Sequence, residues 1–173
     1  MTVAETLAAH TAEVPDFPKA GVLFKDFNPL FAAPAAFAEV LEDIAGRWRG
    51  QVDVVAGVEA RGFILGAPLA QRMDIGFVPI RKVGKLPGET VSCEYDLEYG
   101  SAVVEVAADA FADAHRVLLV DDVLATGGTA AAACELIERA GGRIAGIEML
   151  LELRFLAGRD KLDGYVVNAI QVD

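Results

Sequence analysis

Cysteine is nearly missing from this chain. Cys93 and Cys134 are the only two, they fall in different kinds of segment, and no CxxC or Cys/His spacing offers a metal site. Reduced thiols in a cytoplasmic protein are the expectation. Positive charge is also scarce: 15 Lys and Arg stand against 26 Asp and Glu, a formal net charge of −11. Such a chain repels polyanions, which argues against nucleic-acid or anionic-membrane partners unless a local basic patch intervenes. No apolar run reaches the ~18 residues that a membrane span requires. The first residues, MTVAETLAAHTAEVPDF, carry acids where an export signal carries a basic segment. Repeats, low-complexity tracts and linkers are absent. With 173 residues, 54% of them hydrophobic, there is material for one substantial core, so 1–173 is expected to form a single domain. Neither GxxxxGK[ST] nor GxGxxG occurs, which disfavours nucleoside triphosphates and dinucleotides as ligands.

What is present alternates between two patterns. Residues 52–58, 75–80, 116–123 and 143–153 are β-branched apolar runs of the kind that parallel strands buried on both faces show. Residues 35–48 follow Pro34 and place Phe37, Val40, Leu41, Ile44 and Trp48 at helical spacing. Residues 62–73 and 129–140 are helix-like as well. This order predicts an α/β fold with a mostly parallel central sheet flanked by helices. Residues 82–106 break the pattern with a Gly/Pro-rich basic start and two strand-like pieces around "YG", read as a flexible loop leading into an antiparallel flap. Residues 163–173 read as a final strand.

The stretch RVLLVDDVLATGGTAAAACELIERAGG (116–142) leaves a buried strand through two acids, passes a small Thr/Gly loop and becomes a helix. Ligands of open parallel sheets sit at the carboxyl ends of the strands. Gly127 and Gly128 let backbone N–H groups converge, Thr126 and Thr129 add hydroxyls, and the helix contributes its positive end, which together form a monophosphate cradle. Asp121 and Asp122 beside that cradle repel a phosphate but accept hydrogen bonds from a vicinal diol further along the same ligand. A ribose 5-phosphate satisfies both.

VLLVDDVLATGGT resembles the 5-phosphoribosyl 1-pyrophosphate (PRPP) motif of type I phosphoribosyltransferases. FPKAGVLFKD (17–26), GVEARGFILGAPLA (57–70) and IRKVGKLPGETVSCEYDLEYG (80–100) narrow the resemblance to the adenine-using members, and it extends from about residue 15 to GRDKL at 158–162. The resemblance implies a type I phosphoribosyltransferase-like fold with a small N-terminal hood (1–34, a helix and a base-binding segment) and a loop and flap at 82–106. It implies a Mg²⁺-dependent transfer of phosphoribosyl from PRPP to adenine, giving AMP and pyrophosphate in purine salvage, in a homodimer.

By that resemblance Asp121 and Asp122 act on the ribose, directly or through Mg²⁺-bound water. Ala125, Thr126, Gly127, Gly128 and Thr129 surround the 5-phosphate. Arg61, Arg81, Lys82 and Lys85 meet pyrophosphate, the 81–85 group reaching in from the neighbouring subunit. Leu23, Phe24 and Lys25 receive adenine, with Phe24 as stacking face, and Glu98 and Tyr99 belong to the closing flap, the acid helping to move a purine proton. No metal ligand is assigned directly, since Mg²⁺ is bound mainly through PRPP and water. Glu59 is either a site acid near that metal or a loop charge. His10 and His115 read as surface residues. The alternatives are a hypoxanthine/guanine or xanthine phosphoribosyltransferase, which 17–26 and 80–100 disfavour, and a non-catalytic PRPP- or purine-binding regulator, for which a basic appendage is lacking. A receiver domain needs more chain after the acid pair than the residues that follow Asp122.

Overall fold

The computed structural model describes residues 1–97, 100–113 and 115–173. The chain opens with α1 (Val3–Ala9), started by a capping box in which Thr2 and Glu5 satisfy each other's backbone N–H groups. A two-stranded antiparallel hairpin follows, β1 (Ala12–Pro15) with β2 (Leu23–Asp26), then α2 (Asn28–Ala32) and α3 (Pro34–Trp48). The rest alternates as β3 (Val54–Val58), α4 (Arg61–Met73), β4 (Gly76–Lys82), β5 (Thr90–Asp96), β6 (Ser101–Ala107), β7 (Arg116–Leu124), α5 (Gly128–Arg139), β8 (Arg143–Glu152) and β9 (Val167–Val172). Two 3-10 turns, Arg154–Leu156 and Gly158–Leu162, lie between β8 and β9.

The main sheet runs β5-β6-β4-β3-β7-β8-β9. From β4 to β9 its pairs are parallel, and the β5–β6 hairpin is added antiparallel at the β4 edge. The mostly parallel sheet, its flanking helices, the N-terminal hood and the flap hairpin match expectation. Side-chain alternation explains why the strand sequences read as unbroken apolar runs. Val117 and Leu119 of β7 pack with α5, whereas Leu118 and Val120 pack with α3 and α4 on the other face. A strand with a helix layer on each side has no polar face to display.

Two boundaries depart from the sequence reading. β4 extends through Arg81 and Lys82, because β6 pairs with both (Arg81 with Glu105, Lys82 with Val104). The basic loop therefore starts at Val83. The segment 154–162 carries no apolar periodicity, and its 3-10 turns are set by packing, with Leu162 buried in the core. Among the described residues no helix is long and apolar enough to cross a membrane.

Candidate active site

A cleft of about 580 Å³ opens where β3, β4 and β7 end, walled on its outer side by β2. Asp121, Asp122, the whole of 125–129, Arg61, Lys82, Leu23, Phe24 and Lys25 line it. Residues distant in sequence thus converge at the carboxyl edge of the parallel sheet, where such folds bind ligands.

The acid pair stands where the sheet splays. Pairing of β7 with β3 stops at Val120, while pairing with β8 continues to Leu124. In the gap the two carboxylates take up backbone donors: Asp122 N–H donates to Asp121 Oδ1 and Val123 N–H to Asp122 Oδ1, each at 2.9 Å. Gly62, in the first turn of α4, brings the positive end of that helix against Asp121 Oδ1. Arg61 Nε forms an ion pair with Asp122 Oδ2, which is buried and accepts no aligned hydrogen bond. Burial, and next the charge of Asp122, push the Asp121 carboxyl well above the usual carboxylate range, although Arg61 pulls the other way. The site therefore contains an acid that gains from any ligand stabilising its ionised form.

The loop after β7 leaves the start of α5 uncapped. Gly127 sits at φ +81° as the N-cap of α5, no side chain caps the helix, and its first turn holds no acid. The amide N–H groups that a helix start leaves without partners are thus available to a ligand. A Cβ on Gly127 would run into the Gly158 carbonyl, so the loop lies flush against the 3-10 turn.

The hairpin side supplies a flat apolar wall. Phe24 meets Phe17 edge-on with centroids 5.1 Å apart, and the Arg61 guanidinium lies 5.5 Å from the Phe24 centroid. Arg61 thereby bridges the aromatic wall and the acid pair. Lys25 Nζ is held by Glu13 and by Asp173, each at 2.6 Å, which raises its pKa; Asp173 is the larger cause. This pairing ties β2 to the last residue of the chain, and the sequence contains no signal for it.

The cationic group divides. Strand alternation sends Arg81 and Lys82 to opposite faces, and Lys82 alone of the two lines the cleft. Arg81 Nε lies 3.4 Å from Glu59 Oε2, and its Nη1 donates to the Lys85 carbonyl at 3.4 Å. Lys85 is not a lining residue of this cleft. Its N–H and that of Leu86 both donate to Glu105 Oε1 at 3.0 Å, and these donors, Leu86 first, hold the Glu105 carboxyl below its usual range. Sequence reasoning missed Glu105: an acid in AVVEVA reads as a strand residue facing solvent, yet it is buried and holds the loop. Glu59 lines the cleft while paired with Arg81. Glu98 and Tyr99 lie outside the described residues. Among the described residues no cluster of three or more His, Cys, Asp or Glu forms a metal cage.

Residues 28–172 match the family described as phosphoribosyl transferase domain. The adenine phosphoribosyltransferase of Frankia casuarinae is 55% identical over 92% of this chain and 86% of its own length. That of Salinispora tropica is 54% identical over 96% of this chain and 89% of its own. Among solved structures, adenine phosphoribosyltransferase from Thermoanaerobacter pseudethanolicus superimposes with a TM-score of 0.94 at 47% identity, covering 98% of this chain and 99% of that one. The Saccharomyces cerevisiae enzyme, complexed with an imino-altritol bisphosphate and adenine, gives 0.93 at 38% identity, covering 97% and 98%.

Proposed function

Because this chain belongs to the phosphoribosyl transferase family and its activity is transfer of a 5-phosphoribosyl group from PRPP to adenine, we propose a division of labour within the cleft. Leu23, Phe24 and Lys25 receive adenine, residues 125–129 hold the 5-phosphate, Asp121 and Asp122 face the ribose, and Arg61 and Lys82 meet pyrophosphate. The observation that carries this reading is that the aromatic residue Phe24, the acid pair and the uncapped helix start all line one cleft. A base with a phosphorylated sugar needs those three surfaces in one cleft.

In the reaction, N9 of adenine attacks C1 of the ribose. The C1–O bond breaks, pyrophosphate departs with the bonding pair, and the N9 proton leaves. Positive charge grows on the ring as the bond lengthens, so the two carboxylates stabilise the transition state more than the ground state. Arg61 is poised at this junction: released from Asp122 and Phe24, its guanidinium offsets charge on the leaving pyrophosphate and uncovers the ring face for the base. Glu98 is the candidate acceptor of the purine proton.

The donor set suits Mg²⁺. Asp121, Asp122 and Glu59 bring hard carboxylate oxygens to the lining of one cleft, a chemistry that suits a Mg²⁺ ion held chiefly through substrate phosphates and waters. Bound with PRPP, the ion supplies charge neutralisation on the pyrophosphate. Asp121 and Asp122 would hold its waters.

Ribose hydroxyls donating to Asp121 favour its ionised form, so ligand binding expels a proton from a carboxyl whose pKa is raised in the free protein. Affinity then rises as pH climbs through that raised pKa. Calorimetry of AMP binding in buffers of different ionisation enthalpy is expected to show more proton release for the wild type than for Asp121→Asn. Equal release by both proteins would remove Asp121 from the ribose site.

A cytoplasmic homodimer with Lys85 serving the partner's site is part of this reading: Lys85 does not line its own cleft, whereas Lys82 does and Arg81 pairs with the cleft-lining Glu59. Lys85→Ala and Asp122→Asn homodimers should each be nearly inactive. After subunit exchange about half the dimers are mixed, each with one site intact of two, so activity returns to roughly a quarter of wild type. No recovery despite exchange confirmed by mass spectrometry means that Lys85 serves its own chain. The reading as a whole is tested by incubating the protein with PRPP, Mg²⁺ and a panel of nucleobases. AMP from adenine alone is the expected product, and no nucleotide from any base would refute it.

A further inference from the structure

The segment GRDKL (158–162) takes no part in the cleft's lining, yet it is the surface against which the phosphate loop is moulded. A Cβ on Gly158 would meet the Ala125 carbonyl and come within 2.9 Å of Gly127 N. In return, a Cβ on Gly127 would meet the Gly158 carbonyl and come within 3.0 Å of Gly158 Cα. The two backbones touch with no side chain between them. Gly158 is not at positive φ, so close approach, not conformation, is what demands glycine here.

The next residue fixes that contact to the sheet. Arg159 Nε donates to Glu152 Oε1 at 3.1 Å, Nη2 pairs with Glu152 Oε2, and Nη1 donates to the Val167 carbonyl at 2.8 Å. Glu152 is the buried last residue of β8, and Arg159 holds its carboxyl below the usual range. One planar guanidinium thus joins the ends of β8 and β9, and a single peptide link away lies the glycine that contacts the loop. Leu153 N–H donates to the Leu124 carbonyl at 2.9 Å, tying the same region to the strand from which the loop departs.

We propose that Gly158 and Arg159 are positioning residues for the phosphate loop: Arg159 pins the 3-10 turn to β8 and β9, and Gly158 forms the flat backing that sets how the 125–129 amides converge on a 5-phosphate. This rests on the assignment of residues 125–129 to that phosphate. The role is separable from general stability because it acts on one part of one ligand. AMP carries the 5-phosphate and adenosine does not.

The test measures the affinities of AMP and adenosine in Gly158→Ala and Arg159→Gln, well below each variant's own melting midpoint. AMP binding is expected to weaken by about tenfold or more, since sub-ångström misplacement of converging groups carries losses of that order, while adenosine binding stays within about twofold of wild type. In steady state KM for PRPP rises and KM for adenine does not. Equal weakening of AMP and adenosine, or unchanged AMP affinity, overturns the proposal. If Gly158→Ala does not fold, Arg159→Gln decides by the same pair of affinities, since it adds no atom beside the loop. Should Gly127→Val leave AMP binding intact, the phosphate assignment itself fails; should Gly127→Val abolish it while both buttress variants bind AMP normally, only the positioning role fails.

Discussion

Gly127→Val abolishes binding of PRPP and of AMP together and leaves adenine affinity little changed. Two physical effects combine. At φ +81° a β-branched residue is forced into a backbone region that it strongly disfavours. Its Cβ would also occupy the space of the Gly158 carbonyl and lie 2.9 Å from the Gly158 carbonyl carbon, backbone that cannot swing aside as a side chain would. The loop has to move, and with it the amide groups at the start of α5. Calorimetry with AMP, PRPP and adenine separately, together with a melting curve, checks this. Tight AMP binding in a folded Gly127→Val protein would show that the phosphate lies elsewhere.

Asp122→Asn lowers kcat by about 10²-fold or more without unfolding the protein, and Asp121→Asn does the same, because an oriented electrostatic group that acts on developing charge supplies a few kcal/mol. Asparagine keeps the shape and one acceptor oxygen, so the Val123 N–H retains its partner. What is lost is the negative charge beside the cleft and the ion pair with Arg61. Freed from Asp122, Arg61 remains beside the cleft, and KM for PRPP is expected to change less than kcat. Chelation with EDTA should abolish wild-type activity and added Mg²⁺ should restore it. Near-normal turnover by Asp122→Asn would mean that the acid does something other than stabilise the ribose.

Much of this site was legible in the chain because its parts are local. The strand–acid–acid–loop–helix stretch places Asp121, Asp122 and 125–129 within nine residues, and a parallel strand followed by a helix leaves those residues only one end of the sheet to occupy. The helix over Pro34–Trp48, the strands around the apolar runs and the flap hairpin followed from periodicity for the same reason. Arg81, Lys82 and Lys85 were visible as a cationic group but not as a divided one. That division depends on where β4 ends, which β6 decides by pairing with Arg81 and Lys82.

By itself the sequence determined the α/β order, the acid pair and the Thr/Gly loop that follow an apolar strand, and the family resemblance, since each is written in neighbouring residues whose chemistry is the same in any surroundings. Tertiary structure alone decided that Arg61 bridges Phe24 and Asp122, that Glu105 is buried beneath the basic loop, that Asp173 holds Lys25, and that Gly158 backs Gly127. Each of these joins segments tens of residues apart, or packs a polar group where periodicity predicts solvent. Such contacts carry no local pattern: a buried carboxylate and an exposed one are the same letter until the chain closes around one of them.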